Sequence, residues 1–297
     1  MKLIALVVAL VLERSLTRLL HLRELRWFDR YFDWALARLG TRGGWRSGVL
    51  AAALLLLPVL PVALVSIGLL KADIFWDVPY FLFAVLVLLF SLGPRDLGAE
   101  VQDYCDQVAA GDEAEATRTA RQLLETEVPR DYGRRDLAVE EAVLVQANNR
   151  IFGVLLFFIA FGPIGAWLFR VGDLFRRRAV FEAGRREAAE GAPPYALIER
   201  LHGALAWVPA RLTCLGYALA GSFEEAIGAW REYREQPARR FYDVNDELVA
   251  TVGRGALARS ATESPVLCVG AALRLVQRTV FVWVTAIALM TLFGWAI

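Results

Sequence analysis

Two groups of polar residues flank one uncharged stretch of this 297-residue chain. Before it stand Arg130, Asp131, Glu140, Glu141, Gln146, Asn148, Asn149 and Arg150; after it come Arg170, Asp173 and Arg176 to Arg178. Carboxylates and side-chain amides beside arginines could bind a phosphate group together with Mg²⁺. Glu141 and Asn148 are seven residues apart, two helical turns, so a helix puts them on one face. Gln146 and Asn149, three apart, share an adjacent face. The bland account is that arginines anchor a membrane segment at its ends and the acids neutralise them. A separate charge, Arg211, is alone in the apolar run 203–221, where such a residue faces a cavity, a partner or the interface.

Other chemistries find no support. There is no phosphate-binding Gly-rich loop, no His-Glu-x-x-His and no Gly-x-Ser-x-Gly. His21 and His202 are too few for a histidine metal cluster and read as interfacial or structural. Cys105, Cys214 and Cys268 are scattered, which argues against a disulfide framework or a zinc site and for small buried apolar roles. A net charge of +1 gives no general attraction to nucleic acid. No metal ligand set is expected, and catalysis stays an open question.

The elements that must position these residues are membrane segments. The chain is 57% hydrophobic with a mean hydropathy of +0.43, above the usual soluble range. Uncharged blocks of spanning length occupy 48–70, 151–169 and 279–297, and 78–92 is shorter. Residues 3–12 are too short to span, and the following Glu13-Arg14 lacks a signal-cleavage pattern, so an uncleaved short membrane helix is expected. Residues 14–39 interleave arginines with aromatics and read as an amphipathic interfacial helix, ordinary packing being the alternative.

The block 151–169 contains Gly162-Pro163-Ile164-Gly165, which cannot continue a regular helix. It is either a kinked span or a helical hairpin turning inside the membrane. Residues 13–47 carry eight arginines, which places them inside. A full crossing at 151–169 would put the 16 arginines of 170–278 outside, whereas a hairpin turning at Gly162, Pro163 and Gly165 keeps both ends inside. The alternative is that 78–92 fails to span. The hairpin is the preferred reading, with arms of about ten residues, roughly half the hydrocarbon thickness.

The expected fold is therefore all-α and polytopic. Residues 1–47 form a short membrane helix and an interfacial helix, 48–92 a transmembrane pair, and 93–150 a helical cytoplasmic segment. The hairpin or span occupies 151–170, a second helical cytoplasmic segment 171–278, and a last transmembrane helix 279–297. Within these, a helix restarts at Asp112-Glu113 and another at Arg135 or Asp136. Pro209 is expected to open a helix running to Ala220, and Ser222 and Glu225 to form a capping box.

Two motifs carry a family resemblance. Gly162-Pro163-x-Gly165-Ala166-x-x-Phe169-Arg170, followed by Trp207-Val208-Pro209-Ala210-Arg211-Leu212, resembles the AmpE inner-membrane proteins, which group with the cobalamin-biosynthesis synthases CobD/CbiB. Tyr217-Ala218-Leu219-x-Gly221 and the apolar opening ending in Glu13-Arg14 extend the likeness over nearly the whole chain. The resemblance implies a multi-pass protein of the bacterial inner membrane with a regulatory or sensory role in β-lactamase induction and cell-wall recycling. It implies the lipid bilayer and a membrane or recycling protein as partners, with homo-oligomerisation left open. The candidate ligand-binding residues are Arg130, Asp131, Glu141, Asn148, Asn149, Arg170, Asp173 and Arg211. The synthase relatives carry Gly-Arg-Asp-Thr and Glu-Asn-Thr-Ser-Asp-Gly motifs. Here Arg130-Asp131 and Gln146-Ala147-Asn148-Asn149-Arg150 stand near them without the Thr-Ser-Asp portion, which counts against the amide-forming reaction and leaves it as the alternative.

Overall fold

The structure, a computed structural model, describes residues 2–16, 27–39, 45–71, 78–93, 96–125, 128–185, 193–235, 243–258 and 265–293. All regular elements among them are helical: α1 (Lys2–Leu16), α2 (Trp27–Leu39), α3 (Trp45–Leu56), α4 (Leu60–Lys71), α5 (Val78–Ser91), α6 (Leu97–Ala109), α7 (Glu113–Leu124), α8 (Tyr132–Ala147), a π-helical turn Asn148–Phe152, α9 (Gly153–Arg185), α10 (Pro193–Ala220), α11 (Phe223–Glu235), α12 (Asp243–Ala256) and α13 (Pro265–Leu292). The segments Trp45–Lys71, Tyr132–Glu182 and Val269–Leu292 are long and apolar enough to cross a bilayer. The chain is an all-α protein of membrane type. His21 lies outside the described residues.

The helices group into two compact units, each assembled from separated stretches of chain. The first comprises the described residues within 1–94 and 153–206; the second comprises those within 95–152 and 207–293.

In the first unit, α9 is a hairpin. At Gly162 the backbone adopts φ 66°, ψ −152°, a region that only glycine enters cheaply. The chain reverses there. The ring of Phe169 comes to rest on Gly153, where a Cβ would lie 2.2 Å from its Cζ. Gly165 packs so closely on the backbone of Phe157 that a Cβ would sit 2.2 Å from the carbonyl oxygen. A straight helix would hold residues 153 and 169 about 24 Å apart. The first arm ends at Phe161, and the second runs on from Pro163 into the arginine-rich tail. The Tyr80 hydroxyl from α5 lies at the tip, 3.2 Å from the position of a Cβ on Gly162.

The apolar face of α2 is spent on protein. Phe28, Phe32, Ala35 and Leu39 are buried with Trp167, Val171, Phe175 and Ala179 of α9. Phe32 stacks on Phe175 with centroids 5.0 Å apart. The polar side of α2 is tied by Asp33, which accepts two hydrogen bonds from Arg178 at 2.6 and 2.8 Å.

In the second unit, α6, α7, α8, α12, α13 and the C-terminal part of α10 bury one core around Tyr104, Val143, Leu144, Phe152, Tyr217 and Val252. Small residues set its close contacts: a Cβ on Gly253 would lie 2.8 Å from Leu144, and one on Gly216 2.7 Å from Thr279. The restart at α7 is capped by Asp112, which accepts from the Glu115 amide at 3.1 Å. Two helix boundaries depart from expectation. α8 begins at Tyr132 rather than Arg135, because Asp131 caps it. α10 starts at Pro193, so Pro209 lies inside a longer helix rather than at the opening of a short one.

Candidate functional site

In the first unit, the hairpin's second arm delivers Arg170 and Asp173 one turn apart. Both are buried, the aspartate completely. Three guanidinium groups converge on the one carboxylate: Arg170 at 3.0 Å, Arg177 at 2.8 Å and Arg176 at 3.3 Å. The spacings of three and four residues make this a product of one helical face. The turn at Gly93, with φ +107°, closes over Arg170, leaving 3.6 Å between its Nη2 and the position of a Cβ. His202 of α10 completes the group, its ring 5.7 Å from that of Phe169. Its Nε2 is buried and has no hydrogen-bond partner among the described residues. Burial first, then the Arg176 charge and more weakly that of Arg177, against the opposing pull of Asp173, depress the imidazole pKa to about 3. The ring is therefore neutral. Such a cluster is suited to a phosphate or carboxylate, which guanidinium groups bind through paired N–H donors.

In the second unit, the π-turn Asn148–Phe152 carries a second buried polar set. Asn148 Nδ2 donates to Asn149 Oδ1 at 3.0 Å, and Thr213 donates its hydroxyl to Asn148 Oδ1 at 3.0 Å. Asn149 donates to Asp246 at 3.4 Å. Arg211 donates to Asn245 at 2.7 Å and to the Trp207 carbonyl at 2.9 Å, with its guanidinium 4.2 Å above the Trp207 ring. The π-turn is the wider, rarer helix that often marks functional positions. Next to it, Arg150 is held by Glu100 at 2.7 Å and Gln146 at 2.9 Å.

The remaining sequence candidates have structural duties. Asp131 is exposed and accepts the Arg134 amide at 2.9 Å as the cap of α8. Arg130 beside it is exposed. Glu141 pairs with Arg254 at 2.7 Å on a half-exposed surface. Although Glu141 and Asn148 share a helix, one serves this ion pair and the other the buried amide network. Among the described residues no three acidic, histidine or cysteine side chains gather as a metal site. Sequence reasoning missed His202, Thr213, Asn245, Asp246 and Glu100. Thr213 directly follows the quoted motif ending at Leu212 and was within reach; the others carry no local signal.

Comparison with known proteins decides the relationship. The family model "Regulatory signalling modulator protein AmpE" matches residues 1–297. The chain belongs to the AmpE family. It is 26% identical over 223 residues to "Protein AmpE" of Shigella flexneri, covering 74% of this chain and 77% of that protein. It is also 30% identical over 210 residues to "Cobalamin biosynthesis protein CobD" of Stutzerimonas stutzeri (68% of this chain) and spans 62% of that protein's length. A CobD of Chromobacterium violaceum is 27% identical over 268 residues, 82% of this chain and 80% of the relative. No solved structure matches the chain. The hairpin gives a physical reason for four residues of the Gly162-Pro163-x-Gly165-Ala166-x-x-Phe169-Arg170 stretch. Gly162 turns, Gly165 and Gly153 admit the return arm, Phe169 fills the space at Gly153, and Arg170 reaches Asp173.

Proposed function

We propose that this AmpE-family chain is a multi-pass protein of the bacterial inner membrane with a regulatory or sensory role. The process it serves is β-lactamase induction and cell-wall recycling, and it acts by binding an anionic ligand or partner group at the Arg170–Asp173–His202 cluster. The family match supports the regulatory part. The observation that carries the site is the convergence of Arg170, Arg176 and Arg177 on a fully buried carboxylate beside the unpartnered Nε2 of His202. Buried ionisable groups at the end of an apolar segment are costly to keep and mark binding or relay positions.

The test is complementation. A deletion strain receives the wild-type chain or Arg177→Gln, whose side chain is partly exposed, and β-lactamase is measured after an inducer. Induction that depends on the chain and shifts with Arg177→Gln is expected. Induction unchanged by the deletion sinks the regulatory reading. The CobD likeness favours a second reading, a synthase-type enzyme acting on an amphiphilic phosphorylated substrate. Mg²⁺-dependent phosphate binding that collapses in Asp131→Ala but survives in the cap-preserving Asp131→Asn would count against it; collapse in both variants would favour it.

A further inference from the structure

α13 carries a basic feature that the proposed role does not use. Arg274, Gln277, Arg278 and Phe281 line an open cavity of about 380 Å³ on the exposed face of this helix. The two arginines are one helical turn apart, so their guanidinium groups can meet on one small anion. Neither has a hydrogen-bond or ion-pair partner among the described residues. This contrasts with Arg135, Arg150, Arg178 and Arg254, each of which holds a carboxylate.

Their position along the helix adds the second half of the argument. Arg278 directly precedes the uncharged stretch 279–297. The guanidinium of Arg274 leans back toward the helix start, its Nη1 3.4 Å from the position of a Cβ on Gly270. Below the cations, Phe281, Leu289, Met290 and Leu292 are exposed. The surface thus changes within one turn from two unneutralised cations to an apolar wall. An anionic headgroup above acyl chains has the same order of chemistry, and basic clusters at the ends of membrane helices bind such headgroups.

We propose that Arg274 and Arg278 bind the headgroup phosphate of an anionic phospholipid, with Gln277 as a further donor and the acyl chains lying along Phe281. A zwitterionic lipid carries its own cation and gains little from the pair. Each basic side chain at an anionic surface adds about a fivefold preference, so two give about thirtyfold.

The purified full-length protein is titrated with phosphatidylglycerol or with phosphatidylcholine of the same chains, and bound lipid is counted by native mass spectrometry. The wild type is expected to prefer phosphatidylglycerol by about thirtyfold, and Arg274→Gln/Arg278→Gln to lose that preference. An equal loss of charge on α11, Arg231→Gln/Arg234→Gln, is expected to keep it. Retained preference in the first variant, or its loss in both, overturns the site. Displacement of the lipid by excess inorganic phosphate also overturns it, since the pocket would then be one for a soluble anion.

Discussion

The Phe169 ring occupies the space that any side chain at Gly153 would need, 2.2 Å from the position of its Cβ. One glycine on the first arm and one aromatic on the second therefore set how closely the hairpin closes. Gly153→Val is expected to overpack this contact and lower stability by about 1–3 kcal/mol. The thermal midpoint in detergent measures it. Gly68→Ala is the control, because nothing lies within 4 Å of a Cβ there.

The turn makes a separate prediction. Gly162→Ala places a side chain at φ 66°, ψ −152°, a strain of about 1–3 kcal/mol. The proposed topology puts both ends of the hairpin on the cytoplasmic side, so a cysteine beyond the second arm is expected to face the cytoplasm. In a chain carrying Cys105→Ala, Cys214→Ala and Cys268→Ala, Phe181→Cys is expected to resist an impermeant thiol reagent in intact cells and to react after lysis. Labelling of intact cells would overturn the cytoplasmic placement.

His202 gives the unit a pH dependence of known sign. Its pKa is about 3 in the folded protein against an ordinary value of 6.5. Below pH 6.5 the unfolded chain takes up a proton that the folded chain refuses. Stability is therefore present above that value and falls as the pH drops toward 3, by up to about 1.4 kcal/mol per pH unit. Burial of the ring is the main cause, with Arg176 and more weakly Arg177 adding to it against the opposing pull of Asp173. Denaturation midpoints between pH 7 and 4 should show the slope, and His202→Phe should flatten it.

The buried Arg150–Glu100 pair should behave asymmetrically. Its side chains are 6% and 9% exposed, so Arg150→Met leaves a buried carboxylate alone and costs about 3–5 kcal/mol. The double change Arg150→Met/Glu100→Leu should recover most of that loss. Chemical denaturation of the wild type, Arg150→Met, Glu100→Leu and the double variant closes the cycle, and no recovery would mean that Arg150 acts mainly through Gln146.

Asp131 is expected to act as a helix cap. Asp131→Ala should lower stability by about 1 kcal/mol, and Asp131→Asn should be nearly neutral. A loss of function in Asp131→Asn with unchanged stability would give this carboxylate a role beyond the cap.

Much of this architecture could be read from residue order. Gly162-Pro163 with Gly165 announced a break, which left a kinked span or a reversal, and the arginine distribution favoured the reversal; the all-α class followed from long uncharged blocks and the lack of β-alternation. Arg170 and Asp173 were legible as a pair because three residues on one helix are neighbours. What was not legible depends on distant partners. Nothing local in His202 says that it will meet Phe169 and Asp173, and nothing in Asn245 says that it will receive Arg211. The face of α2 presents the same ambiguity: Phe28 and Phe32 suit a lipid boundary or a protein core equally well, and only Phe175 and Trp167 decide for the core.

The discontinuity of the first unit has a consequence for synthesis. Phe32 must wait for Phe175, 143 residues later in the chain, which at 5–20 residues per second is roughly 7–30 s of translation. During that interval Phe28 and Phe32 pack with Ala51, Leu54 and Leu55 of α3 but lack the rings of Trp167 and Phe175. A ribosome that stalls after α5 leaves a stub in which the α3 side of this cluster is formed and its α9 side is missing.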